Sequence, residues 1–259
     1  MSISAVILTK NEEKNIERCI QSVSFCDEIV VVDDYSTDKT LELIKKSKIK
    51  NQNDNLKFKI FERELNGDFA AQRNFGLSKA KGDWVLFVDA DEIVSLELAD
   101  EITNYLSLIT NHLSGFFLKR HDNMWEKELK YGDLRNFKEL RLAKKTAGKW
   151  SRKVHEVWGV KGKIGEMDNP LIHYAHPNLW VFTSKINFYS TLHAEQKFED
   201  GEKLSLLKII LWPKLKFLKD YFLKLGFLDG TEGLVLAVMM SFHSFLAWSK
   251  LWLTQNKKV

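Results

Sequence analysis

The chain has 259 residues, 44% of them apolar, with a net charge of +4. That is enough for one sizeable α/β domain with an appendage, and the composition excludes an intrinsically disordered chain. Cys19 and Cys26, the only cysteines, have no metal-binding spacing and read as reduced thiols, while Met1-Ser2-Ile3-Ser4 runs into a strand without a basic leader, so a cytoplasmic location is expected.

Taken in order, apolar runs and turn signals predict a strand over 4–8, a helix over 13–23 and a strand over 28–32. Ser36-Thr37-Asp38 offers N-cap chemistry for a helix over 40–46, and the polar stretch 49–55 reads as a surface loop. A short strand over 58–61 and a helix over 69–80 follow. After the Gly82-Asp83 turn come a strand over 84–88 and an amphipathic helix over 96–108. Strands alternating with helices predict a mostly parallel central sheet with right-handed crossovers, flanked by helices. From Gly115 to about Ile172 the chain is rich in charge and aromatics and reads as short strands and loops of unassigned topology. The expected division is a first half over 1–110, a second half over 111–195 and a helical, amphipathic appendage over 196–259.

That appendage is unevenly charged. Between Lys203 and Lys224 there are six lysines against one acid, Asp220. From Pro213, placed to open a helix, Leu215, Leu218, Phe222 and Leu225 share one helical face, with Lys216 and Lys219 opposite. The pattern fits a basic amphipathic helix in a membrane interface, or a helix packed on the preceding domain with a solvated basic face. The apolar stretch 233–253 is interrupted by Ser241, His243, Ser244 and Lys250, and reads as a helix that packs, dimerises or rests on the interface without crossing.

Two apolar runs end in carboxylates: Ile29-Val30-Val31-Val32-Asp33-Asp34 and Trp84-Val85-Leu86-Phe87-Val88-Asp89-Ala90-Asp91-Glu92. Strands buried on both faces look like this, and in open α/β sheets ligands bind where such strands end. Two acidic edges would repel a bare diphosphate unless a divalent cation stood between them, and Asp-X-Asp offers the hard oxygens that Mg²⁺ or Mn²⁺ take. The chemistry indicated is that of a metal-dependent nucleotide-sugar enzyme. No Walker A loop, dinucleotide fingerprint, Ser-His-Asp signature or nucleic-acid-binding motif is present.

Four stretches, in order, carry a resemblance: Ala5-Val6-Ile7-Leu8-Thr9-Lys10-Asn11-Glu12-Glu13, Val32-Asp33-Asp34-Tyr35-Ser36-Thr37-Asp38, Ala71-Gln72-Arg73-Asn74-Phe75-Gly76 and Val88-Asp89-Ala90-Asp91-Glu92. Over roughly residues 1–95 the chain resembles the inverting glycosyltransferases of family 2, which have the GT-A fold. Val154-His155-Glu156 and Gly226-Phe227-Leu228-Asp229-Gly230 resemble the subgroup of lipopolysaccharide core β-glucosyltransferases. The resemblance implies transfer of a hexose, glucose from UDP-glucose, onto a lipid-linked inner-core saccharide at the inner face of the cytoplasmic membrane. Transfer to polyprenyl phosphate or to a protein stays open, as does a non-catalytic nucleotide-sugar-binding membrane scaffold.

By the same resemblance Asp91 is the direct metal ligand, and Asp89 holds the ribose or a metal-bound water. Asp34 accepts from a uracil ring with Thr9 near the same base or ribose. Asp33 and Asp38 read as turn and cap residues, and Tyr35 stands where the wider family most often has glycine. Arg73 reaches a donor phosphate or forms a surface salt bridge. Glu156, between Trp150 and Trp158, is the candidate general base, or else a loop carboxylate paired with a lysine. His155 and Trp158 are acceptor-side candidates. His173-Tyr174-Ala175-His176 reads as a surface loop, lacking a third zinc ligand.

Overall fold

Unbroken β-branched runs build the buried centre of a sheet. In this computed structural model, which describes all residues except 51–56, 109–111, 126, 135–136, 154, 175, 204 and 257–259, the chain opens with β1 (Ile3–Thr9), α1 (Ile16–Ser22), β2 (Glu28–Asp33), α2 (Thr40–Lys50) and β3 (Lys57–Glu62). Next come α3 (Phe69–Lys79), β4 (Trp84–Asp89), β5 (Glu92–Val94) and α4 (Leu96–Ser107). The sequence-based strands and helices of this half are found within a few residues, although α1 starts later than expected and α2 runs on through 49–50; residues 51–55 of the expected polar loop lie outside the described residues. Asp68 and Ser95 cap α3 and α4, accepting from the amides of Ala71 and Leu98.

The remaining elements are β6 (Leu113–Met124), β7 (Lys127–Leu129), β8 (Lys138–Lys144), β9 (Trp150–Ser151), β10 (Val157–Trp158), β11 (Lys163–His173), α5 (Leu179–Glu199), α6 (Leu206–Leu218) and α7 (Gly230–Asn256). The sheet order is β3-β2-β1-β4-β8-β6-β11-β5. The first four strands are parallel; β8 pairs antiparallel with both β4 and β6, and β11 pairs antiparallel with β5. The middle of the chain therefore contributes long antiparallel strands where short ones were expected.

The chain forms two compact units, residues 1–120 with 138–173 and residues 121–137 with 174–259. In the first, one sheet face packs Ile7, Val31, Leu86 and Val88 against Ile16, Ile20, Leu98 and Ile102 of the helices. The other face packs Val6, Val32, Val85 and Phe87 against α3 and the pair Trp150–Trp158. Gly76 lets α3 approach β1 closely, since a Cβ there would stand 2.5 Å from Val6 Cγ1.

In the second unit α7 packs against α5 and α6, burying Leu236, Ala237, Trp248 and Leu251 with Phe182, Ile186 and Ala194 of α5. The helix expected over 233–253 is present as α7, and the span Gly226–Asn256 is long and apolar enough by length and composition to cross a membrane, where no crossing was expected. The Gly226–Gly230 motif has a structural use here. Asp229 accepts from the amides of Lys130 (3.2 Å) and Tyr131 (2.9 Å), and Lys127 Nζ donates to its carbonyl.

α6 starts earlier than its sequence suggests. It begins at Leu206, seven residues before Pro213, which lies buried inside it. Lys216 Nζ lies 2.7 Å from Asp133 and 3.1 Å from buried Asp220, and Lys224 Nζ 2.9 Å from Asp133 and 3.6 Å from Asp220. Leu207, Leu211, Leu215 and Leu218, at i, i+4, i+8 and i+11, are 65%, 44%, 50% and 48% exposed. Lys216 and Lys224 are thus paired with carboxylates, while the leucines face outward.

Candidate active site

The ends of β1, β2 and β4 meet at one edge of the parallel half. At β1, Thr9 is buried, and its Oγ1 has no hydrogen-bond partner. Beside it Asp34 donates its amide to the Thr9 carbonyl (2.9 Å), while its carboxylate accepts from the Leu65 amide (2.9 Å) and Lys10 Nζ (2.7 Å). Asp33 accepts from the Ser36 amide and hydroxyl, and Asp38 from the Thr40 and Glu13 amides, so both stabilise the turn. Burial pushes the Asp33 carboxyl above its ordinary range in spite of the Ser36 bonds. Tyr35 has φ +49°, the left-handed region that glycine enters freely, and its ring is 55% exposed.

At the end of β4, both Asp89 carboxylate oxygens face guanidinium groups. Arg73 of α3 approaches with Nη1 3.0 Å from Oδ1 and Nη2 3.2 Å from Oδ2, and Arg141 of β8 with Nη2 2.8 Å from Oδ2. Burial opposes the charge on Asp89, but Arg141 and Arg73 outweigh it and hold the carboxyl well below the usual range. Arg141 also bonds Glu139 through Nε (2.9 Å) and Nη2 (2.7 Å) and lies 3.4 Å from Glu92. Glu92 is buried and accepts the Asp89 amide (2.8 Å); burial pushes it up to about 7 despite Arg141.

Arg73 links this edge to Glu156, donating from Nε to Oε1 at 2.8 Å. Its guanidinium lies 4.9 Å from the Trp150 ring centroid, and Trp150 stacks on Trp158 at 5.2 Å. The β9–β10 hairpin carrying Glu156 is pinned by Asn74 of α3, which exchanges two hydrogen bonds with the Trp150 backbone. His155 is exposed with φ +51°, whereas Trp158 is buried against Phe87. Val154 lies outside the described residues.

Asp91 is placed differently from Asp89. Its Oδ2 lies 3.5 Å from His173 Nε2, and both side chains are mostly buried. β11 delivers His173 by pairing it with Glu92 of β5, so the surface loop expected at this histidine is a strand end at the site. Sequence reasoning missed this because the pairing spans some eighty residues. Arg141 was missed too, because β8 also carries Lys138, Glu139 and Lys144 and nothing in its pattern singles this arginine out. Among the described residues no cluster of three or more His, Cys, Asp or Glu forms a ready metal cage. A carboxylate and an imidazole still fit a cation that takes its remaining ligands from phosphate and water.

A polar edge of this kind, on a half-parallel sheet with a carboxylate facing it, suits activated-sugar chemistry, and comparison with known proteins agrees. The sequence pattern described as "Glycosyl transferase family 2" matches residues 4–159. The chain belongs to that family.

An uncharacterised glycosyltransferase of Rickettsia typhi is 30% identical over 96% of this chain and 86% of its own length. The lipopolysaccharide core biosynthesis glycosyltransferase LpsC of Rhizobium meliloti is 29% identical over 97% and 92%. Among solved structures, a mannosyltransferase of Pyrobaculum calidifontis in complex with GDP-mannose and Mn²⁺ superposes with TM-score 0.56 at 14% identity, covering 98% of this chain and 88% of that one. Staphylococcus aureus TarS 1–349 in complex with UDP-GlcNAc gives 0.53 at 16%, covering 100% and 93%. The fold is GT-A, and this family member is a glycosyltransferase that uses a nucleotide sugar.

Proposed function

We propose that the enzyme transfers a hexose, glucose from UDP-glucose, with inversion onto a lipopolysaccharide inner-core saccharide at the inner face of the cytoplasmic membrane. The observation that carries the reading is the ion-paired chain Asp89–Arg73–Glu156, which joins the donor edge to a carboxylate within the same unit. The glucosyl and core-saccharide assignments rest on the resemblance of Val154-His155-Glu156 and Gly226–Gly230 and on the likeness to LpsC.

In this reading Asp34 and Thr9 receive the uracil and ribose, with Asp89 near the ribose. Glu156 takes the proton of the acceptor hydroxyl as that oxygen bonds to the anomeric carbon and the bond to the diphosphate oxygen breaks on the opposite face. Asp91, with His173 beside it, would hold Mg²⁺ or Mn²⁺, which when bound would supply positive charge toward the departing diphosphate. Arg73 contributes by holding Glu156 against Asp89, and reaches a phosphate only by exchanging one of these partners. His155 is left to contact the acceptor, and Trp158 to back the hairpin.

Membrane contact is assigned to the outward leucines of α6, rimmed by exposed Lys214 and Lys219. Glu156→Gln tests the chemical reading. It should leave UDP affinity within about threefold and lower kcat on the order of 10²-fold or more, the usual worth of a positioned base. Wild-type turnover by that variant removes Glu156 from the mechanism.

A further inference from the structure

Arg73 has two claimants. Its Nη atoms meet Asp89 and its Nε meets Glu156, so the direction in which Asp89 pulls decides how firmly Glu156 is held. Asp89 is in turn shared with Arg141, whose Nη2 takes Oδ2 at 2.8 Å. Arg141 is itself fixed from behind by Glu139, and it comes from β8, a neighbour of β4 in the sheet. Charges alternate along the row Glu139, Arg141, Asp89, Arg73, Glu156, and both guanidiniums are 4% exposed. An arginine suits the second place because its rigid fork reaches several carboxylates at once, which a lysine ammonium on a flexible stem does not.

Weakening the Arg141 end leaves Asp89 with one cation. Asp89 then draws Arg73 more fully to itself, and the bond to Glu156 is the one released. We infer that Arg141 is a positioning residue for the transfer step, acting through Asp89 and Arg73 on the Glu156 carboxylate. The inference rests on the reading of Glu156 as the base. It adds a residue 15 positions away in sequence, on another strand, to which that reading gives no role.

The test uses the full-length protein and measures UDP release from UDP-glucose, UDP-galactose and UDP-N-acetylglucosamine with water as acceptor, UDP affinity by calorimetry, and the melting temperature. Arg141→Lys keeps the charge but not the fork. Glu139→Gln, at a side chain 36% exposed, loosens Arg141 without removing it and is the variant least disturbing to folding. Arg141→Lys is expected to lower kcat on the order of 10- to 100-fold, since small misplacements of a reacting group cost that much. UDP affinity should stay within about threefold, because Arg141→Lys leaves Asp34 and Thr9 untouched and Asp89 still paired with Arg73. Glu139→Gln should move kcat the same way by less. In a Glu156→Gln background, Arg141→Lys should cost nothing further, because the group it positions is gone.

A purely structural Arg141 gives a lower melting temperature with unchanged kcat in the folded fraction, and that result overturns the inference. So do losses that multiply in the double variant. Full turnover by Glu156→Gln alone removes the base reading itself, a result distinguishable from either. Absence of UDP release by the wild-type protein from all three donors overturns the donor reading and this inference with it.

Discussion

The outward leucines of α6 give the reading its most quantitative test away from the reaction centre. Leu207, Leu211, Leu215 and Leu218 are roughly half exposed. Full burial of a leucine is worth about 1.5–3 kcal/mol, so each has about 1 kcal/mol still to gain from an apolar phase. Together they offer about 4 kcal/mol. Lys214 and Lys219, both exposed, add at most about 1 kcal/mol each at an anionic surface, and less after salt screening. Leu211→Glu with Leu215→Glu removes about 2 kcal/mol of transfer and adds two repelled anions. At about 1.4 kcal/mol per tenfold, partitioning should fall by about 30-fold or more. Both side chains face solvent and glutamate is a good helix former, so folding stability should change little.

The assay is sedimentation with phosphatidylglycerol vesicles against phosphatidylcholine ones, with the oligomeric state followed in parallel. Wild-type protein should prefer the anionic vesicles and release them as salt rises, and the double variant should stay in the supernatant. Equal partitioning of the two proteins refutes the argument. A wild-type dimer that the variant converts to monomer, with no vesicle binding by either, shows that the face meets a second copy instead.

Gly233→Ala should destabilise the second unit by about 3 kcal/mol, the upper end of ordinary overpacking, because its Cβ would stand 2.0 Å from the Gly226 carbonyl; thermal circular dichroism reads this. Tyr35→Gly should leave stability within about 0.5 kcal/mol, since relief of about 1 kcal/mol of left-handed strain is offset by a more flexible unfolded chain. Tyr35→Val should cost about 1–2 kcal/mol by denaturant unfolding, because a β-branched residue tolerates φ +49° poorly. Burial lifts Glu92 from 4.5 to about 7, so folding takes up a proton between those values. Its contribution to stability is complete below about pH 4.5 and is lost as the pH rises through about 7. Glu92→Gln lacks that loss, so its melting temperature relative to wild type should rise from pH 5 to pH 8, and a constant difference would contradict the assignment.

The parallel half was legible because its signals are local. Runs such as Glu28–Asp33 and Trp84–Asp89 are apolar throughout, and the carboxylates that end them mark where they leave the core. Asp34 could be placed at a strand end from its run alone, whereas Thr9 came with the family resemblance. What joins the edge to Glu156 was not legible. Arg73 meets a residue 83 positions away, His173 reaches Asp91 through the pairing of β11 with β5, and Arg141 arrives on an antiparallel strand whose alternation mixes charge with leucine. The facing of α6 was hidden for a related reason. Helical periodicity separates leucines from lysines, but only tertiary contacts show that Asp133 and Asp220 claim Lys216 and Lys224 and leave the leucines outside.

The central claim is metal-assisted transfer from a UDP-sugar at this edge. It is tested most directly by a donor screen that follows nucleoside diphosphate release with and without Mn²⁺, for wild-type protein and Asp91→Asn. The account expects release from UDP-glucose above other donors, dependent on the cation and lost in the variant while the protein stays folded. Release that is indifferent to the cation and retained by Asp91→Asn would contradict it.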